Sequence, residues 1–230
     1  MTTKNLLKKI KLSDDDLLEI QNAVKKAEEK TSGEIALALT AESDHYSFWE
    51  LLSSIYFAAF VFIMILPFAT KISAVYDRFF WECPEWFLPA FYGLATLILI
   101  VFGFYFSNIP FIDRIVIPKD VKSSTVKNRA FRHFAESGIY ETEGHSGILI
   151  FVSYLERQVR IICDSGIAKK IPQDLWNIIA DDLAGGIKSG NTKEGFLRAI
   201  EKCGELLTEH FPCTKENPNE LPDGLVILEN

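Results

Sequence analysis

"AEEKTSGEIALALT", Ala27–Thr40, decides how this chain is to be read. Its first residues finish a helical pattern. Ser13 followed by Asp14, Asp15 and Asp16 supplies a hydroxyl cap and an acidic first turn, both favourable at the positive end of a helix dipole. Leu17, Ile20, Val24 and Ala27 then recur at helical spacing as far as Lys30. Thr31-Ser32-Gly33 breaks the helix, and Glu34–Thr40 follows as a strand apolar on both faces, the pattern of a strand covered by helices on each side. One helix and one strand cannot bury each other, so their partners must lie elsewhere in the chain.

What comes next is not a partner. Leu51–Thr70 and Trp86–Ile112 contain no charged side chain, and an uncharged apolar run of about 18 residues or more can cross a hydrocarbon core of roughly 30 Å as a helix. Tyr46, Phe48 and Trp49 flank the first run, and Trp81, Trp86 and Tyr92 lie near the connecting loop, where aromatic rings favour the headgroup region. Pro67 and Pro89 sit near the ends of the runs, where few helical hydrogen bonds are lost. The expectation is a transmembrane helical hairpin over residues 48–112, with spans at about 50–70 and 87–111. The loop Lys71–Glu85, including the interfacial turn "WECPEW", joins them.

Two spans return the chain to its starting side, so residues 1–47 and 113–230 are expected on one face of a bilayer. Arg114, Lys119, Lys122, Lys127, Arg129 and Arg132 follow the second span, against Lys71 and Arg78 in the loop. The positive-inside rule makes that face cytoplasmic, in the manner of a bacterial inner-membrane protein. Met1–Asp16 lacks the apolar core and cleavage site of a signal peptide. Cysteines 83, 163, 203 and 213 form no CxxC pair, so reduced thiols are expected. A net charge of −7 over 230 residues excludes nucleic acid as a partner, because phosphate backbones demand a concentrated basic surface. The lipid bilayer and other membrane proteins remain as partners.

The missing elements of the sheet lie beyond the hairpin. A helix over about Ser123–Ser137 ends at Gly138. Ile148–Tyr154 and Val159–Cys163 are apolar, β-branched runs separated by the polar turn "LERQ". Helices follow at about Pro172–Lys188 and Lys193–Glu209, punctuated by Gly190-Asn191. The sum is a three-layer α/β domain with a membrane hairpin inserted in its sequence: 1–47 carries its first helix and strand, and 113–230 the remainder.

Ala27–Leu39 together with "GILIFVSYLERQVRIICDSGIAKKIPQDLW" (Gly147–Trp176) and "HFPCTKENPNELPD" (His210–Asp223) resembles the TPM-domain family. That family is named for a thylakoid lumen protein, a photosystem II protein and a nematode receptor modulator, and is sometimes labelled a phosphatase. The likeness runs in order through nearly all of the non-membrane sequence. It implies an α/β/α sandwich around a small mixed sheet. Some members have been assigned acid phosphatase activity, and others bind calcium or assist membrane complexes. This chain departs from the simplest family plan by placing two spans after the first strand.

The residues themselves offer few catalytic constellations. Cys163–Lys169, "CDSGIAK", has the outline of a cysteine-phosphatase loop, but Lys169 cannot make the planar two-pronged phosphate contact of an arginine, so Cys163 reads as a strand residue. Asp164 and Ser165 leave a strand end, where α/β folds gather ligands. With Glu34, Glu220 and Asp223 they form the candidate metal set, hard oxygen ligands suited to Ca²⁺ or Mg²⁺. Asp44, Glu143, Asp181 and Asp182 are further companions, the last two read as a solvated helix face. His45, His133, His145 and His210 have no metal-ligand spacing; His145 alone falls near a strand edge. "NELPD", Asn219–Asp223, reads as a tail strapped across the domain, with Leu221 in an apolar notch and Asn219 capping a turn. The expected function is non-enzymatic binding or membrane-complex maintenance. The alternative is a divalent-metal-dependent phosphatase at the membrane surface.

Overall fold

The computed structural model describes residues 3–80, 82–107, 109–142, 144–213 and 220–229. Trp81, Glu143 and Asn219, all singled out above, lie outside the described residues. The chain divides into two compact units, 1–44 with 120–230, and 45–119. Residues 45–119 form the inserted unit.

In the α/β unit, β1 (Glu34–Thr40) pairs in parallel with β2 (Gly147–Ser153) and with β4 (Leu225–Leu228), while β3 (Gln158–Cys163) runs antiparallel to β2. The order is β3-β2-β1-β4 in a mixed sheet. Every residue of β1 and β2 is buried, as two-sided coverage requires. Ile35, Leu37 and Leu39 face a core shared with α2 (Asp14–Glu28), α9 (Gln173–Ser189) and α10 (Thr192–His210). Ala36 and Ala38 face the other way, and with Leu149 and Phe151 of β2 they meet Val126, Ala130 and Phe134 of α7 (Lys119–Glu136). The α/β/α sandwich with a mixed sheet is thus the fold, and the strand opened by "TSGEIALALT" is central in it.

The start of α2 follows its sequence signature. Ser13 and Asp16 form a reciprocal capping box, with Ser13 N–H donating to Asp16 Oδ2 at 2.9 Å and Asp16 N–H to Ser13 Oγ at 3.2 Å. Some elements of this unit were not anticipated. α1 (Thr3–Ile10) buries Leu6 and Ile10 in the main core, and the C-terminal tail contributes β4. The tail does strap the domain as expected, Leu221 being buried against the α7 side.

The inserted unit is helical. α3 (Ser47–Ile65) passes through a 3₁₀ turn at Leu66–Phe68 into α4 (Ala69–Asp77), so Pro67 marks a tightened turn and helix continues beyond it. α5 (Phe87–Ser107) is followed by α6 (Pro110–Val116). Ser47–Asp77 and Phe87–Ser107 are long and apolar enough to cross a membrane. α3 packs on α5 through small residues: Ser54 and Ala58 are buried, and a Cβ on Gly103 would lie 3.0 Å from that of Ser54. Small residues at a contact of this kind let backbones approach closely.

Candidate functional site

Asp164 is the residue the sequence nominates most strongly, and its surroundings explain why it is there. Its N–H donates to Gly147 O at 2.9 Å, ending β3 beside the first residue of β2. Its carboxylate accepts from the Ser165 N–H and caps α8 (Ser165–Ala168), while its carbonyl accepts from Ile167 and Ala168 N–H at 3.1 and 2.9 Å. The second carboxylate oxygen lies 3.1 Å from His145 Nδ1, which is also 3.2 Å from the Tyr140 carbonyl. Two acceptors facing one ring nitrogen place the proton on Nδ1.

The glycine of "DSG" has an equally specific reason. A Cβ on Gly166 would fall 2.5 Å from the His145 carbonyl oxygen and 2.7 Å from that of Gly144. The backbone comes close at this turn, and the approach is made to the Gly144–His145 loop, whose residues hold φ values of +76° and +52°. Ser165 is exposed as the first residue of α8.

On the other side of Gly147 stand the remaining members of the candidate set. Glu34 is the register partner of Gly147 and is buried. Asp223, just before β4, is buried too, with Lys25 Nζ at 3.6 Å. Between them comes a residue the sequence reading passed over, Glu28 at the end of α2. Its Oε1 accepts from Ile35 N–H at 2.7 Å. Burial pushes its carboxyl up to about 8, the adjacent Glu34 and Asp223 charges push the same way, and the Ile35 N–H opposes them. Glu28 therefore holds its proton well above the usual carboxylate range, and it shares a hydrogen bond with Asp223. The signal was present in the sequence: Ile20, Val24 and Glu28 are spaced by four, so the glutamate continues the buried stripe of the helix.

Of the candidate set, then, Glu34 and Asp223 are brought together through Glu28, Asp164 pairs with His145, and Glu220 is exposed. Among the described residues no group of three or more His, Cys, Asp or Glu is placed to hold a metal ion. Asp44 follows the opposite end of β1. Asp181 is exposed, and Asp182 is ion-paired with Lys202 at 2.9 Å and Arg198 at 3.5 Å. Cys163 is a strand residue whose thiol is pushed far up by burial, so it is no thiolate nucleophile. His133 sits on α7 beside Ser137, with its imidazolium disfavoured by burial and by Arg129. His210 ends α10, and His45 belongs to the inserted unit.

Comparison with known proteins agrees with this architecture. The family model of the TPM domain matches residues 114–206. No curated protein matches the chain. Among solved structures, the NMR structure of BA42 protein from the psychrophilic bacterium Bizionia argentinensis is similar over 94% of this chain and 95% of that one, with 20% sequence identity and a TM-score of 0.56. At that identity the likeness establishes the shared fold.

Proposed function

We propose that this chain is an integral membrane protein displaying a TPM-like α/β domain as a non-enzymatic binding module, serving the upkeep of a membrane complex. The observation that carries the membrane part is the apolar surface left exposed on the two long helices: Phe57, Phe60, Leu94 and Phe102 are each more than half exposed, and large exposed apolar surface marks a membrane or protein contact. The binding role is supported by the engagement of Asp164, Glu28 and Cys163 in folding contacts or buried thiol form, which leaves them poorly placed for turnover. The six basic residues from Arg114 to Arg132 favour a cytoplasmic α/β unit.

Carbonate extraction of membranes from expressing cells tests the anchoring. The protein should stay in the pellet, and release into the supernatant overturns the reading. A cytoplasmic-type reporter fused after Asn230 should be active.

A second reading, a divalent-metal-dependent phosphatase, draws on the convergence of Glu34 and Asp223 on Glu28. It takes Asp164, Ser165, Glu34, Glu220 and Asp223 as ligands of Ca²⁺ or Mg²⁺. Phosphatase activity of the purified protein that appears with either metal and vanishes in Asp164→Asn would establish this reading in place of the binding module.

A further inference from the structure

The opposite end of the sheet carries a cleft that none of the foregoing uses. Its walls are the α1–α2 junction, the β2–β3 connection and the end of α9, and they enclose about 470 Å³. Lys9, Lys11, Arg157 and Lys188 line it, all exposed, and no acidic residue does. In a chain of net charge −7, four cations around one cavity without a carboxylate are a marked local excess. None of the four forms an ion pair among the described residues. The nearby Glu156 is buried, and its carboxylate accepts from Ser43 N–H at 2.9 Å and from the Ser153 hydroxyl.

Helix-end electrostatics do not account for this excess. The C-terminus of α9, where Gly190 takes the left-handed conformation, carries about half a negative charge. A Cβ on Gly190 would meet Lys11 Nζ at 2.9 Å, so that lysine lies across the helix end. Half a charge neutralises a small part of four. The backbone adds a second sign. Of the three described non-glycine residues with positive φ, two are these cations, Lys11 at +59° and Arg157 at +53°. Such conformations cost ordinary residues free energy and gather where side chains must be aimed.

The floor is apolar, with Val159 and Ile187 of the main core and the Tyr154 ring, over which Lys9 Nζ sits 5.9 Å from the centroid. The cleft also lies at the carboxyl end of the parallel strand β2, lined by its Val152 and Ser153. Open α/β sheets place ligands at that end.

We propose that this cleft binds a phosphorylated small molecule, its phosphate held by Lys9, Lys11, Arg157 and Lys188 and its apolar body on Val159 and Ile187. A guanidinium fork and three mobile ammonium groups suit a tetrahedral dianion better than a single planar carboxylate. The site goes beyond the membrane-module reading and does not depend on it. The phosphate belongs either to a free metabolite or to a lipid headgroup.

Calorimetric titration of the full chain in detergent, with phenyl phosphate and with inorganic phosphate as probes, tests it. Phenyl phosphate should bind saturably and at least tenfold more tightly than inorganic phosphate. Arg157→Gln with Lys188→Gln should weaken phenyl phosphate at least tenfold. Lys4→Gln with Lys8→Gln, an equal charge change on α1 outside the cleft, should change it less than twofold. No saturable binding of either probe, or equal losses in both double variants, overturns the proposal. Repeating the titration in nanodiscs identifies the source of the phosphate. Phosphatidic acid that competes against a phosphatidylcholine background assigns a lipid headgroup, and phenyl phosphate affinity unchanged by phosphatidic acid assigns a free molecule.

Discussion

The clusters that stand out at the two ends of the sheet differ in charge and in how far the fold answers them. At the amino end of β1 and β2, carboxyl groups are buried and answered from within: Glu28 by Ile35 N–H and Asp223, Asp164 by Ser165 N–H and His145. At the carboxyl end, four cations stand exposed around a cleft without a carboxylate. A charge that the fold answers contributes to stability and is lost to ligands. A charge the fold leaves in water costs little to keep and stays available. Acidic residues next to glycine in a sequence draw attention as ligands, yet here the better-supplied ligand surface belongs to lysines and an arginine scattered over three segments.

The contrast can be broken in several ways, and Glu28 offers the largest effect. Its carboxyl titrates near 8 in the folded protein, against an ordinary value of 4.5. The folded state therefore holds the proton more tightly than the unfolded state does. The resulting stability is complete below about pH 4.5 and is lost as pH rises through about 8. Thermal melts of the parent chain should fall in midpoint over that window. Glu28→Gln keeps a neutral hydrogen-bonding side chain and should flatten the dependence, gaining on the order of a few kcal/mol over the parent at pH 9. An unchanged pH slope in the variant would remove Glu28 from the account.

Gly166→Ala comes next. Its methyl group would press on two backbone carbonyl oxygens and should cost about 1–3 kcal/mol. Asp164→Asn should have a smaller effect, because asparagine caps a helix about as well as aspartate and only the His145 contact is weakened. A loss below about 1 kcal/mol, equal with and without Ca²⁺, is expected by chemical denaturation. A loss that appears only in the presence of Ca²⁺ would make this turn a metal site and reverse the comparison. Glutamines at Arg157 and Lys188, by the same measurement, should leave stability within about 0.5 kcal/mol, as exposed substitutions do.

Much of the fold could be read in the residues. The hydroxyl cap at Ser13, the mostly apolar Glu34–Thr40, the "LERQ" turn and the uncharged runs after Leu51 and Trp86 each state a local preference that the tertiary structure keeps. What escaped was short or mixed in character. α1 has only eight residues, three of them lysine, so its apolar face at Leu6 and Ile10 gave a weak period. β4 has four residues, too few for an alternation to be distinguished from a tail. Glu28 escaped because a glutamate among lysines at a helix end looks solvated until the strand after it folds back over it.

The sequence by itself determined that an apolar strand covered on both faces must find its partners across an interrupting pair of lipid-compatible helices, because burial and bilayer length are properties of single segments. The tertiary structure alone decided which charges meet. Register sets Glu34 and Asp164 on either side of Gly147, and packing draws Lys9, Arg157 and Lys188 from three distant segments around one cleft. Electrostatic energy depends on separation and on the medium between the charges, and neither exists until the chain has folded.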